Sequence, residues 1–212
     1  AVEILGRFAL ECVAAGAALR SLDAGGGFPI AYGDEELGFA PWSDFGAAIT
    51  KGLTRSGAHG LGLELIVEPG RALVGDAGGL LTRVVFVKEQ AKRRFVIVDA
   101  AMTELIRPAL YDAYHAVMPV QHAAPTRAAE LGGPVCETGD FFAIDRALPE
   151  LARSDLLLVR GAGAYGMSMA SHYNSRPGAA EVLVSEGDAR TIRRRQTYPD
   201  LWRDELRSDR TG

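Results

Sequence analysis

The residues able to do chemistry sit in short, glycine-rich segments. Asp23-Ala-Gly-Gly-Gly27 ends a strand-like run, and three consecutive glycines let backbone N–H groups converge on an anion. A plain flexible turn is the alternative reading of such a run. Glu68-Pro-Gly-Arg71 ends the next strand-like run and leads into a helix. Its Gly70 and Arg71 N–H groups would lie at a helix start, and the Arg71 guanidinium fork suits a phosphate or a carboxylate. The plainer reading is a turn with a surface arginine. Gly133-Pro-Val-Cys-Glu-Thr138 sets Cys136 beside Glu137, a candidate proton donor next to a candidate substrate contact. A lone cysteine can equally be a buried small hydrophobe. In Arg107-Pro-Ala-Leu-Tyr111, Arg107 and Tyr111 are four apart, so they share a helical face and could grip a carboxylate together, or form a solvated face.

Gly161-Ala-Gly-Ala-Tyr-Gly166 matches G-x-G-x-x-G, follows a strand-like run, and has Glu186 about twenty residues on. That is a candidate dinucleotide loop. Against it, Pro177-Gly178 cuts the helix that should follow, and no run of βαβ units surrounds it. Gly166-Met-Ser-Met-Ala170 misses a nucleophile elbow at its last glycine. The histidines (His59, His115, His122, His172) have no ligand spacing, and no metal site is expected. Cys12 and Cys136 are too far apart in sequence for a zinc pair or a disulfide framework. Lys51, Lys88 and Lys92 are the only lysines, which matters for any chemistry that needs a lysine imine.

The elements that must position these groups follow an α/β order and then a β-rich one. Ile4–Leu19 has helical apolar spacing, Arg20–Ala24 reads as a strand, and a loop carries Pro29, Gly33, Gly38 and Pro41. A helix capped by Ser43 runs to about Leu53 with Phe45, Ile49 and Leu53 on one face, and Gly62–Val67 is a strand. After Gly79 the strand candidates are 80–89, 95–99, 114–120, 133–136 and 156–160, then a 181–185/189–193 hairpin and a charged helix over 200–207. Two turns at successive strand ends fit the phosphate loops after the last strands of a β/α barrel.

With 212 residues, 48% apolar and 24% charged, the chain has the composition of a soluble globular protein, which excludes disorder and collagen-like structure. A net charge of −4 without a basic run argues against nucleic acid or an acidic membrane surface as partner. Apolar runs are too short for a membrane helix. No signal peptide is visible, the first residue is Ala1, and the expected origin is a processed chain or a piece of a longer one, in the cytoplasm.

Taken in order, Asp-x-Gly-Gly-Gly, Glu-Pro-Gly-Arg, Arg-Pro-x-x-Tyr, Gly-Pro-x-Cys-Glu-Thr and Gly-Ala-Tyr-Gly resemble the C-terminal half of the diaminopimelate decarboxylase family, fold-type III enzymes that use pyridoxal phosphate. Ile97-Val-Asp-Ala-Ala-Met-Thr103 fits the same resemblance, which runs from about residue 20 to the end. The resemblance implies the last strands of a (β/α)8 barrel over 1–78 and a β-rich, Greek-key or sandwich-like domain over 79–212. It implies that Gly25, Gly26, Gly27, Glu68, Gly70 and Arg71 hold the cofactor phosphate. It gives substrate carboxylate to Arg71, Arg107 and Tyr111, proton return to Cys136, the distal amino-acid end of the substrate to Glu137, and contacts with cofactor and substrate to Tyr165. It also implies a homodimer with Cys136 and Glu137 reaching into the partner's site.

One departure stands out. The family's Schiff-base lysine, in a Tyr-Ala-x-Lys-Ala-like segment, and its His-Ile-Gly-Ser segment are both missing from this sequence. A complete barrel alone needs about 250 residues. The expectation is therefore a C-terminal portion, inactive without its N-terminal half, of an enzyme that makes L-lysine. The alternatives are a decarboxylase of ornithine, arginine or a carboxylated polyamine; a non-catalytic truncated paralogue; and a nucleotide module over 155–188 that Gly163→Val would disable.

Overall fold

The computed structural model describes residues 1–33, 40–121, 124–125 and 127–205, in two compact units, Ala1–Gly75 and Asp76–Gly212. Gly38, His122 and the 206–207 end of the expected last helix lie outside the described residues.

In the first unit α1 (Val2–Ala14) is shorter than expected, because Gly16 takes φ 92°, where a right-handed helix cannot continue. The chain enters β1 (Ser21–Asp23), and α2 (Trp42–Ser56) follows a loop. Pro41, not Ser43, holds the start of α2; Ser43 lies inside the first turn, where its hydroxyl meets Asp44 Oδ1 at 3.5 Å. Gly57, left-handed at φ 83°, ends the helix. Next come β2 (Glu64–Ile66) and the short α3 (Gly70–Val74). β1 and β2 pair in parallel, Ser21 against Glu64 through Asp23 against Ile66. Leu22 is buried, but every residue of β2 is exposed.

The second unit is built on one six-stranded mixed sheet, in the order β5-β8-β3-β4-β6-β7, with β4 and β6 the parallel pair. The strands are β3 (Leu80–Gln90), β4 (Arg93–Val98), β5 (Val117–Pro119), β6 (Arg127–Gly132), β7 (Phe141–Leu148) and β8 (Leu156–Val159), with the one-turn α4 (Arg107–Tyr111) between β4 and β5. β3 changes partners along its length. Leu80–Arg83 pairs with β8, and Val84–Gln90 pairs with β4. Val84, Val96, Val98, Leu131, Leu157 and Val159 form the heart of the core, and the β-branched ones among them suit a pleated, buried face. A separate hairpin, β9 (Glu181–Ser185) and β10 (Asp188–Arg193), precedes α5 (Tyr198–Leu201).

The expected strand at 133–136 is absent: β6 ends at Gly132, and residues 133–140 form bends and a turn. Local bonds take up the segment's backbone groups: Val135 N–H donates to an Asp140 carboxylate oxygen (2.8 Å) and the Val135 carbonyl accepts from Glu137 N–H (2.8 Å), while the other Asp140 oxygen accepts from Met102 N–H (2.6 Å).

Candidate functional site

In the first unit, the two glycine turns lie side by side at the C-terminal ends of the parallel strands. The pairing continues past the ladder: Ala24 N–H donates to the Ile66 carbonyl and Glu68 N–H to the Gly25 carbonyl, both at 2.9 Å. Asp23 Oδ1 accepts from Gly25 N–H at 2.8 Å, which sets the turn. Gly25 and Gly27 take φ 75° and 88°, where a side chain is strained, and a Cβ on Gly26 would lie 2.7 Å from the Glu68 carbonyl oxygen. Gly70 opens α3, so its N–H and that of Arg71 belong to the first, unpaired turn. Arg71 Nε is buried without a hydrogen-bond partner. A buried, unpartnered guanidinium nitrogen on the last residue of the Glu68–Arg71 turn fits an anionic group such as a phosphate.

In the second unit, β4 delivers Asp99, whose carboxylate accepts from Thr82 Oγ1 (2.8 Å) and Arg83 N–H (2.9 Å). The segment that follows is tied down by Arg176, which reaches Thr103 Oγ1 (3.1 Å) and the Asp99 carbonyl (2.7 Å). This segment leads into α4. Arg107 is buried, 9% exposed, while Tyr111, one turn on, is 62% exposed. Arg107 Nη1 lies 3.0 Å from His115 Nε2, and its guanidinium lies 5.7 Å from the Tyr165 ring centroid. Tyr165 sits at φ 62°, an uncommon conformation for a bulky residue, in the turn after β8.

Cys136 and Glu137 are exposed in the loop that Asp140 fastens. Glu137 Oε2 accepts from the Tyr173 hydroxyl at 3.3 Å, and Oε1 from Gly139 N–H at 3.3 Å. Gly133 is required where it stands, since a Cβ there would meet Asp140 Oδ2 at 2.3 Å and the Ala100 carbonyl at 2.7 Å. Neither residue type nor spacing marks Asp140, Tyr173, Arg176 and His115 as site residues in the sequence. Each is a lone polar residue whose partners are distant in sequence, and no local pattern marks such a residue.

The dinucleotide reading of 161–166 fails. β8 pairs antiparallel with β3 and β5, and after Gly166 come only two three-residue turns, Met167–Met169 and Tyr173–Ser175. A phosphate loop of that type needs a parallel strand and a following helix. Among the described residues no group of three or more His, Cys, Asp or Glu could hold a metal ion, and no helix is long and apolar enough to cross a membrane.

Residues 14–163 match the family described as pyridoxal-dependent decarboxylase, C-terminal sheet domain. The chain belongs to that family. This decarboxylase-family chain is 47% identical over 191 residues to the diaminopimelate decarboxylase of Zymomonas mobilis, across 90% of this chain and 44% of that protein. It is 50% identical over 195 residues to the diaminopimelate decarboxylase of Neisseria meningitidis serogroup A, across 91% of this chain and 46% of that one. The crystal structure of diaminopimelate decarboxylase from Helicobacter pylori complexed with L-lysine superimposes with a TM-score of 0.85 and 39% identity, over 96% of this chain and 49% of that one. The chain thus spans about half the length of the relatives it matches.

Proposed function

We propose that this chain is the C-terminal portion of a pyridoxal-phosphate-dependent decarboxylase that converts meso-2,6-diaminopimelate to L-lysine and carbon dioxide. The observation that carries the reading is the pair of adjacent turns, Asp23–Gly27 and Glu68–Arg71, the second ending in Arg71 with its Nε buried and unpartnered. The likeness to diaminopimelate decarboxylases supports the choice of substrate.

In this reading Gly25, Gly26, Gly27, Glu68, Gly70 and Arg71 hold the cofactor phosphate. Bound there, pyridoxal phosphate supplies the electron sink for loss of carbon dioxide. Arg71, Arg107 and Tyr111 grip carboxylate, Glu137 takes the distal amino-acid end, and Tyr165 orients cofactor and substrate. The Cys136 thiol holds the proton that returns to carbon. Cys136 and Glu137 serve the site of a second copy in a homodimer.

Residues 1–78 supply the last strands of a β/α barrel, and 79–212 the sheet domain. The exposed β2 supports the barrel, because parallel strands are ordinarily covered on both faces. The rest of the barrel and the cofactor's lysine come from a segment outside this sequence, since Lys51, Lys88 and Lys92 are all exposed and away from the two turns in sequence. The chain alone is inactive, and the complete enzyme works in the cytoplasm.

The test is borohydride reduction of the complete protein with pyridoxal phosphate, followed by peptide mass analysis and by carbon dioxide release from meso-diaminopimelate, ornithine and arginine. The expected result is one pyridoxyl adduct on a lysine outside this sequence and turnover of diaminopimelate. An adduct on Lys51, Lys88 or Lys92, or preferred turnover of ornithine or arginine, overturns the reading.

A further inference from the structure

We infer that His115 is a positioning residue for Arg107: a neutral imidazole that fixes the guanidinium for an anionic group of the substrate. This rests on the reading above, in which Arg107 takes a substrate carboxylate.

The His115 ring is fully buried. Its Nδ1 lies 2.8 Å from the Arg160 carbonyl, which can only accept, so Nδ1 carries the proton and donates. Nε2 then presents a lone pair. Arg107 Nη1, 3.0 Å away, is a pure donor and completes the pair. The two contacts select one tautomer, and that tautomer is the one able to receive the guanidinium.

The choice of a neutral ring has a chemical consequence. A carboxylate in the same place would orient Arg107 equally well, but it would cancel the charge that attracts an incoming anion. At this contact an uncharged acceptor fixes the geometry and leaves the cation's charge intact.

The surroundings hold the ring in that state. Among the described residues, the charged side chains facing it include Arg107 on α4 and Arg146 on β7, whose Nη1 donates to the His115 carbonyl at 2.8 Å. Arg146 is itself stacked on Tyr114, 3.9 Å from the ring centroid. Protonating His115 would bring a third positive charge among these. Burial pushes the ring below the ordinary histidine range, the hydrogen bond to the Arg160 carbonyl partly opposes this, and the Arg107 and Arg146 charges add to the lowering.

The test uses the complete, cofactor-loaded decarboxylase after borohydride reduction, which stops turnover, and reads the Kd of meso-diaminopimelate by calorimetry. H115F keeps the ring's bulk and removes both polar contacts. It should weaken binding by about tenfold or more, the scale of a hydrogen bond to a charged group. H115Q restores an acceptor and should bind within about threefold of wild type. Wild-type binding should also weaken in acid, at a pH below the ordinary histidine range, as the ring takes up a proton, and H115Q should lack that component. Wild-type affinity in H115F, or the same acid weakening in H115Q as in wild type, overturns the inference; the second comparison decides should H115F not fold. R107Q tests the underlying reading separately. If R107Q binds like wild type, Arg107 is not the carboxylate contact; if R107Q weakens binding and the His115 variants do not, only the positioning role fails.

Discussion

Replacing Gly26 by alanine puts a methyl group 2.7 Å from the Glu68 carbonyl oxygen, a backbone atom that no rotamer change can move away. Contacts of this kind rarely fall below 3.0 Å and are ordinary from 3.4 Å, so the two turns must separate by about 0.3 to 0.7 Å. The same separation acts on the Glu68 N–H to Gly25 carbonyl bond, now 2.9 Å, stretching it towards 3.6 Å, where it ceases to be a hydrogen bond. Overpacking of this type costs about 1–3 kcal/mol. If that cost falls on the phosphate-competent arrangement, cofactor affinity drops about 5- to 150-fold. The assay is a pyridoxal phosphate titration of the complete enzyme, followed by cofactor absorbance, with thermal unfolding of the cofactor-free protein beside it. Gly46→Ala, on α2 and outside the two turns, is the control, because nothing lies within 4 Å of a Cβ there and its φ is ordinary; it should titrate like wild type. Wild-type cofactor affinity in Gly26→Ala would refute the argument that the close approach of the two turns shapes a phosphate cradle.

Other outcomes follow from the second unit. Asp140→Asn turns one acceptor into a donor facing the N–H of Met102 or Val135, and should lower stability by about 1.5–3 kcal/mol in urea unfolding; an unchanged midpoint would show that the loop is held otherwise. Because the folded His115 pKa lies below its unfolded value, protons favour the unfolded chain: stability is level above about pH 6.5 and falls below it by up to about 1.4 kcal/mol per pH unit until the folded ring titrates. The difference between wild-type and H115Q unfolding across pH 5–7 measures this, and a flat difference counts against a buried neutral ring. At the far end, the Arg194 side-chain hydrogen bond and the Thr197 N–H hold the Asp200 carboxyl well below the usual range, so their contribution is present above about pH 4 and lost below it. NMR titration of the Asp200 carboxyl carbon should show no protonation near pH 4; an ordinary titration there would mean the pairing is absent. NAD should leave the thermal midpoint unchanged in wild type and in Gly163→Val alike, since the 161–166 loop has no helix after it.

The turns of the first unit were legible because glycine and proline punctuate a strand end wherever they fall, and the parallel pairing of β1 and β2 follows from the intervening helical spacing of Phe45, Ile49 and Leu53. β6 and β7 were not. Arg127-Ala-Ala-Glu-Leu-Gly132 has helix-forming composition, and its Glu130 is buried beside Arg93, 3.2 Å away, a partner only the fold supplies. Phe141–Leu148 has no alternation because Asp145 takes φ 50° and interrupts the pleat. The segments around Arg107, Cys136 and Tyr165 could be read from their motifs, but the residues that hold them, Asp140, His115 and Arg176, are single polar side chains joined across long stretches of chain.

The divided loyalty of β3 sets a timetable for synthesis. Its second half closes on β4 almost at once, through the tight turn between Gln90 and Arg93. Its first half waits for Leu156–Val159. A ribosome that has delivered everything up to Ala152 has made a β3 whose Leu80–Thr82 stretch still lacks the strand it pairs with, its backbone offered to whatever strand arrives. Translation pauses in that interval, or truncations that end within it, should expose the growing chain to association with its neighbours, and release should come when β8 clears the exit tunnel.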